Sequence, residues 1–359
     1  MIKKNWHFYN PVRVVHGSVD NIIDLLVGNR ILLVTSNGFV KRGFVNKLID
    51  LLSDKKLYLW DKVTSNPIID DLDAGIKELK NKKFDQIIAL GGGSAIDTAK
   101  IFATMLVSNN KFTLDDVFRK NSAQKFNTSI PLLAVPSTSG SGSEVTPYAT
   151  LWDMEKRKKY SMTGMNIYPD VALLDPSISL TLQRENTLVS ALDSISHSLE
   201  SIWNINKTPI SEIYARSALE IIIKSLPFLL ENLSSINLRS QMQTASMLAG
   251  IAISQTQTAI AHELSYPLTL SYKVPHGLAS SYFLIDLISY YLQQKPDTNF
   301  KIIMTEVISL LQNLKLEERM NKYLNKKEMT LLFENITLSG RADNYELDIP
   351  DIKSIIDKK

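Results

Sequence analysis

The sequence predicts an α/β N-terminal domain with a largely parallel sheet, followed by an all-helical C-terminal domain. Two observations carry this. Up to about residue 176, short apolar runs alternate with segments of helical periodicity, the texture of parallel strands joined by crossover helices. From residue 184 onward the segments are long and amphipathic, and no convincing strand remains. With 359 residues and 44% hydrophobic content, the chain has enough apolar surface for two full cores.

Residues 31–36 (I-L-L-V-T-S), 57–60, 85–90 (D-Q-I-I-A-L), 131–136 (P-L-L-A-V-P) and 171–175 read as buried strands bounded by turn residues. Between them, residues 40–52 and 70–80 carry apolar side chains at helical spacing. Runs that are apolar on every residue belong to strands covered on both faces, so the layer is Rossmann-like. In the second half, helices are predicted over 185–203, 209–230, 239–257, 280–293 and 298–314. The boundary falls near 176–184, giving domains of residues 1–180 and 181–359. No internal repeat or low-complexity segment is evident.

Forty basic and thirty-seven acidic side chains leave a net charge of +3, too small and too dispersed to argue for nucleic acid or membrane partners. The basic run Glu155-Lys156-Arg157-Lys158-Lys159 is the local exception. With no cysteine there is no disulfide, thiolate nucleophile or cysteine-held metal, so any metal must rest on His and carboxylate. The first residues lack the apolar core of a signal peptide, and no long apolar run suggests a membrane span. A soluble cytoplasmic protein, assembled as a homo-oligomer and acting on a small molecule, is expected.

The stretch L-V-S-A-L-D-S-I-S-H-S-L-E at 188–200 places Asp193 and His197 one helical turn apart, facing the same way. Alone, such a pair is more often a helix cap or a surface contact than a metal site. His262 and His276 follow, in an apolar stretch and in the V-P-H-G turn after it, and the chain has only five histidines. One carboxylate and three imidazoles form a candidate shell for Fe²⁺ or Zn²⁺.

Residues 90–100, L-G-G-G-S-A-I-D-T-A-K, run from a strand through a glycine-rich turn into a helix. Such a turn lets the backbone approach a pyrophosphate, with helix-start amides to receive it. It also fits a plain tight turn in which Ser94 or Asp97 serves the helix start. A second polar loop, P-S-T-S-G-S-G-S-E at 136–144, follows the next strong strand, where open α/β sheets bind cofactors.

In this order, the motifs G-G-G-S-x-x-D-x-x-K at 91–100, P-S-T-S-G-S-G-S-E at 136–144, E-K-R-K-K-Y at 155–160, D-x-x-x-H at 193–197 and V-P-H-G at 274–277 resemble those of the iron-containing (group III) alcohol dehydrogenases over nearly the whole chain. The resemblance implies a dinucleotide-binding α/β domain followed by a helical metal domain, a dehydroquinate synthase-like architecture. It implies hydride transfer between NAD(P)H and an aldehyde or ketone bound at a metal.

Carried over position by position, the resemblance makes Asp193, His197, His262 and His276 the metal ligands. Gly92, Gly93, Ser94 and Asp97 would meet the pyrophosphate and the nicotinamide-side ribose. Ser137, Thr138 and Ser141 would line the nicotinamide, and Lys159 would bond a ribose. Asn66 and Leu182 would, by the same resemblance, make cofactor contacts of this kind. Two positions depart from the family pattern. Where many members end the first strand with an aspartate that repels a 2′-phosphate, this chain has Ser36, so NADPH as well as NADH is expected. Where many carry a further histidine, it has Tyr266, which fits a packed aromatic as well as a phenol that orients substrate or passes a proton.

Within the family, L-E-S-I-W-N at 199–204, Pro209-Ile210-Ser211, G-I-A-I-S-Q-T-Q-T-A at 250–259 and H-E-L-S-Y-P-L-T at 262–269 are most similar to phosphonoacetaldehyde reductases, or 2-hydroxyethylphosphonate dehydrogenases. That resemblance implies a role in phosphonate biosynthesis, with Arg184, Arg119 and Lys273 as candidate partners of the phosphonate. The alternative is a relative acting on a non-phosphonate short-chain alcohol, diol or hydroxy acid.

Overall fold

The computed structural model describes residues 5–107, 112–120, 126–334, 336, 338 and 340–358. The chain divides into two compact units: Asn10–Thr138 with Ser143–Thr181, and Met1–Tyr9 with Ser139–Gly142 and Leu182–Lys359.

The first unit holds strands β1 (Arg13–His16), β2 (Arg30–Thr35), β3 (Lys56–Trp60), β4 (Gln86–Gly91), β5 (Leu132–Pro136), β6 (Tyr148–Asp153), β7 (Lys158–Thr163) and β8 (Val171–Leu174). Its helices are α1 (Asn37–Lys41), α2 (Phe44–Leu51), α3 (Ile69–Leu79) and α4 (Gly93–Met105). Six strands form one sheet in the order β3-β2-β4-β5-β8-β1, and every neighbouring pair is parallel. Side chains alternate across it. Leu32, Val34, Ile87, Ala89, Leu132 and Ala134 meet Ile96 and Phe102 of α4 on one face. Ile31, Leu33, Ile88, Leu90, Leu133 and Val135 meet Phe39, Val45 and Leu48 of α1 and α2 on the other. This two-sided burial is why the strands read as unbroken apolar runs.

Because α1 and α4 leave β2 and β4 toward opposite faces, the strand order reverses between these two neighbours, the position where open α/β sheets take ligands. Register places Thr35 beside Leu90 and Gly91 beside Pro136, so Ser36, Gly92 and Ser137 emerge from adjacent strands at the same carboxyl edge.

Two strand features of this unit escaped the sequence reading. Strand β1 is four residues long and mostly exposed, so it lacks a buried-strand signature. The antiparallel hairpin β6–β7 carries charge at its turn and polar residues along β7, which hides its alternation.

The second unit contains α5 (Arg184–Ile202), α6 (Pro209–Glu231), α7 (Ile236–Thr256), α8 (Ile260–Tyr272), α9 (His276–Ser281), α10 (Leu284–Gln294), α11 (Lys301–Asn313), α12 (Leu316–Met320), α13 (Lys326–Phe333) and α14 (Ile352–Lys358). Helix α6 starts on a capping box of Thr208 and Ser211 with Pro209 in its first turn. Helix α5 packs against α6, α7 and α9 and is buried almost throughout its last four turns. It tolerates its serines because they bond backward along the helix, Ser198 to the Ser194 carbonyl at 2.8 Å and Ser201 to the His197 carbonyl at 3.0 Å. Helix α8 was not predicted as a helix because Pro267 lies inside it and interrupts the pattern. Among the described residues, no helix is long and apolar enough to cross a membrane.

Candidate functional site

Helix α5 brings Asp193 and His197 to one face, α8 brings His262 in its first turn, and α9 begins at His276. The last placement depends on Gly277. A side-chain carbon there would lie 1.9 Å from the Val189 carbonyl oxygen, so only glycine lets α9 approach α5 this closely.

The Nε2 atoms of His197, His262 and His276 stand 3.7, 3.5 and 3.8 Å from the same Asp193 Oδ1. Donor atoms of Asp193, His262 and His276 all lie within 4.8 Å of one another. These separations are too long for good hydrogen bonds. They suit a coordination shell, since metal bonds of ~2.1 Å at tetrahedral angles set neighbouring donors roughly 3.4 Å apart. His262 Nε2 is buried and makes no hydrogen bond of good geometry. A divalent ion held here would satisfy it, and an all-N/O donor set fits Fe²⁺ or Zn²⁺.

Behind His262 lies a residue to which the sequence reading assigned no role. Glu200, fully buried, sits 2.5 Å from His262 Nδ1 with one oxygen and accepts the His262 backbone N–H at 3.0 Å with the other. A carboxylate acting as acceptor there keeps the proton on Nδ1 and turns the Nε2 lone pair toward Asp193. The spacing D-x-x-x-H-x-x-E along one helix was the available signal.

Burial and the opposing charges at this centre act against each other. Burial disfavours a charged Asp193, yet the His197, His262 and His276 rings hold its carboxyl well below the usual range. Burial likewise opposes ionisation of Glu200, and His262 outweighs it, so Glu200 is also lowered. His262 is raised despite burial because Glu200 and Asp193 both face it, whereas burial leaves His197 lowered.

Tyr266 follows His262 by one turn of α8. Burial raises its phenol pKa above the usual value, and the nearby Arg341 opposes that shift. Leu182 supplies a carbonyl to the buried Arg239 at 2.9 Å. Ser141 belongs to the short segment Ser139–Gly142, which counts with this unit; there Ser194 Oγ donates to the Gly140 carbonyl at 3.0 Å.

In the α/β unit, Gly91 ends β4 at φ 154°, a conformation that favours glycine. Gly92 is the N-cap of α4, Gly93 its first residue, and no side chain caps the helix. The capping role open to Ser94 and Asp97 is therefore not taken. Ser94 Oγ instead accepts the backbone N–H of Asn66 at 3.3 Å. Asp97 accepts Ser143 Oγ at 2.6 Å and the Thr150 N–H at 2.9 Å. Thr138 flanks Gly92, and Ser137 N–H donates to the Gly91 carbonyl at 2.9 Å. Ser36 caps α1 without a side-chain bond, and Lys159 on β7 lies over the Trp152 ring. Lys100, the last residue of the glycine motif, is buried with Nζ bonded to Ser143 Oγ at 3.0 Å and the Thr146 and Tyr148 carbonyls at 2.8 and 2.7 Å.

The candidate phosphonate partners differ in what already holds them. Arg119 is engaged by Asp153 at 3.0 Å and Asp70 at 2.7 Å, which makes it a structural cation of the α/β unit. Arg184 Nε donates to the Leu230 carbonyl, and Lys273 caps α8 in the left-handed conformation.

A family model for iron-containing alcohol dehydrogenases matches residues 11–176, and a second, for the C-terminal part of the Fe-containing alcohol dehydrogenase family, matches residues 187–358. The chain belongs to the iron-containing alcohol dehydrogenase family. It is an NAD(P)-dependent, metal-containing alcohol dehydrogenase or aldehyde reductase. Among relatives in the family, the phosphonoacetaldehyde reductase of Streptomyces viridochromogenes is 32% identical over 73% of this chain and 67% of its own. The NADPH-dependent butanol dehydrogenase of Clostridium saccharobutylicum is 30% identical over 86% of this chain and 79% of its own. A crystal structure of an iron-containing alcohol dehydrogenase from Thermotoga maritima, 30% identical, superposes with a TM-score of 0.80 over 99% of this chain and 98% of that one.

Proposed function

We propose that the protein reduces phosphonoacetaldehyde to 2-hydroxyethylphosphonate, using NADPH or NADH and one divalent metal, with Fe²⁺ ahead of Zn²⁺. The observation that carries the reading is the meeting of Asp193, His197, His262 and His276 around one carboxylate oxygen, with Glu200 fixing the tautomer of His262. Lewis-acid polarisation of the carbonyl is the chemistry an ion supplies when held there, and hydride is the chemistry of the reduced nicotinamide. The chain's own part is placement and charge. Asp193 stays ionised among the imidazoles, and Ser280 Oγ lies 3.5 Å from its Oδ1. The uncapped start of α4 offers backbone amides to a pyrophosphate. Beyond β2, Ser36 carries no charge to repel a 2′-phosphate, so NADPH is accepted. Tyr266, kept protonated by burial, retains a hydroxyl donor that orients the substrate.

The same proposal assigns coenzyme to residues 1–180 and metal and substrate to residues 181–359, and takes the working form to be a cytoplasmic homo-oligomer. A second reading, reduction of a neutral short-chain aldehyde, is favoured by the longer stretch shared with the butanol dehydrogenase. A panel of phosphonoacetaldehyde and butanal, run with NADPH and NADH on protein loaded separately with Fe²⁺ and Zn²⁺, decides between them. Turnover of butanal with no preference for the phosphonate would remove the first reading.

A further inference from the structure

Side chains on a helix lean toward its N-terminus, so Tyr266 covers the turn of α8 that carries His262. Its phenol feels the charge of Glu200, the carboxylate behind that histidine, and of Glu263 on its own helix. The guanidinium of Arg341 lies near enough to oppose the effect of burial on this phenol. Arg341 also donates from Nη1 to Gln257 Oε1, at the residue that ends α7 with φ 66°. Its backbone N–H reaches Glu263 Oε2 at 3.3 Å, and three residues on, Asn344 Nδ2 donates to the Thr258 carbonyl at 2.8 Å. The end of α7, the first turns of α8 and the turn at 340–344 thus hold one permanent cation beside Tyr266, on the helix that supplies His262.

We infer that Arg341, assisted by Tyr266, is the specificity-determining anion subsite, and that it receives the phosphonate of an aldehyde whose carbonyl sits at the Asp193–His262 centre. This rests on the substrate site proposed above. A guanidinium stays charged at every working pH, and its planar fork matches two oxygens of a phosphonate. Tyr266 adds a neutral donor to the same group. Neutral aldehydes gain nothing from either contact, so the pair sets the ratio between charged and uncharged substrates. Glu263 fixes the arginine's backbone and sharpens the demand for a well-placed anion, because one set askew meets a carboxylate.

The test compares wild-type protein with Arg341→Met and Arg341→Lys, each loaded with metal. A hydrogen bond to a charged group is worth a factor of about 10–150 in affinity. The ratio of kcat/KM for phosphonoacetaldehyde to that for butanal should fall by about this factor in R341M, through KM for the phosphonate, and recover in part in R341K. Calorimetric titration with ethylphosphonate, which has no carbonyl to reduce, should show binding to wild type and none to R341M. An unchanged ratio in metal-retaining R341M, or unchanged ethylphosphonate binding, overturns the subsite while leaving the phosphonate reading intact. If wild type shows no preference for the phosphonate aldehyde, that reading fails, and the titration decides the subsite by itself: Arg341-dependent binding keeps it, and absent binding ends it.

Discussion

Replacing Glu200 by glutamine tests whether the metal centre depends on a tautomer set from behind. Glutamine has the same shape, but one end donates where glutamate only accepts. The His262 backbone N–H, 3.0 Å from Glu200 Oε1, needs an acceptor, so the glutamine oxygen must stay there. Its amide nitrogen then faces His262 Nδ1, 2.5 Å from the present carboxylate oxygen, and donates to it. The ring proton moves to Nε2 and points at Asp193, removing one ligand. Loss of such an outer partner typically weakens metal binding by 10–100-fold, or about 1.4–2.7 kcal/mol. Competition against a graded chelator, with metal content measured on the retained protein, reads this directly, and circular dichroism checks the fold. A metal dissociation constant for E200Q within twofold of wild type would refute the argument from tautomer control.

Three further outcomes are expected. Gly277→Ala sets a carbon 1.9 Å from the Val189 carbonyl, so α9 must move off α5; thermal stability should fall by about 1–3 kcal/mol and metal retention with it, read by melting and metal analysis of the same sample. Ser36→Asp, at the carboxyl end of β2, should raise the kcat/KM ratio of NADH to NADPH by about tenfold or more, because the new charge repels a 2′-phosphate; an unchanged ratio removes Ser36 from coenzyme choice. Glu144, buried beside Lys100, has its pKa pushed up to about 7 by burial. Between its ordinary value of 4.5 and about 7 the unfolded chain is ionised while the native residue holds its proton, so this residue's contribution is present in acid and lost as pH rises through 7. Glu144→Gln should gain on wild type by up to about 3 kcal/mol between pH 5 and pH 8 in urea unfolding; a gap that does not widen with pH contradicts that burial cost.

The fold class was readable because its central strands are covered on both faces, which writes them as continuous apolar runs such as residues 31–34 and 87–90. Strand β1 and the β6–β7 hairpin left no such trace, being exposed or polar on alternate residues. The four candidate ligands were findable from residue type and scarcity, with five histidines in the whole chain. Glu200 was one step further along the same helix, marked only by the spacing D-x-x-x-H-x-x-E, which by itself does not distinguish a buried glutamate from an exposed one. Arg341 was beyond reach, since its neighbour Glu263 lies 78 residues earlier and nothing local in the sequence announces the pairing.

The four-residue tongue at Ser139–Gly142 counts with the helical unit, although the chain on both sides of it counts with the α/β unit. Severing the polypeptide at residue 181 therefore cannot yield an intact helical half. The fragment would lack the carbonyl that accepts Ser194 Oγ at 3.0 Å, on the residue next to Asp193. Grafting this half onto another nucleotide-binding scaffold requires transplanting the tongue as well.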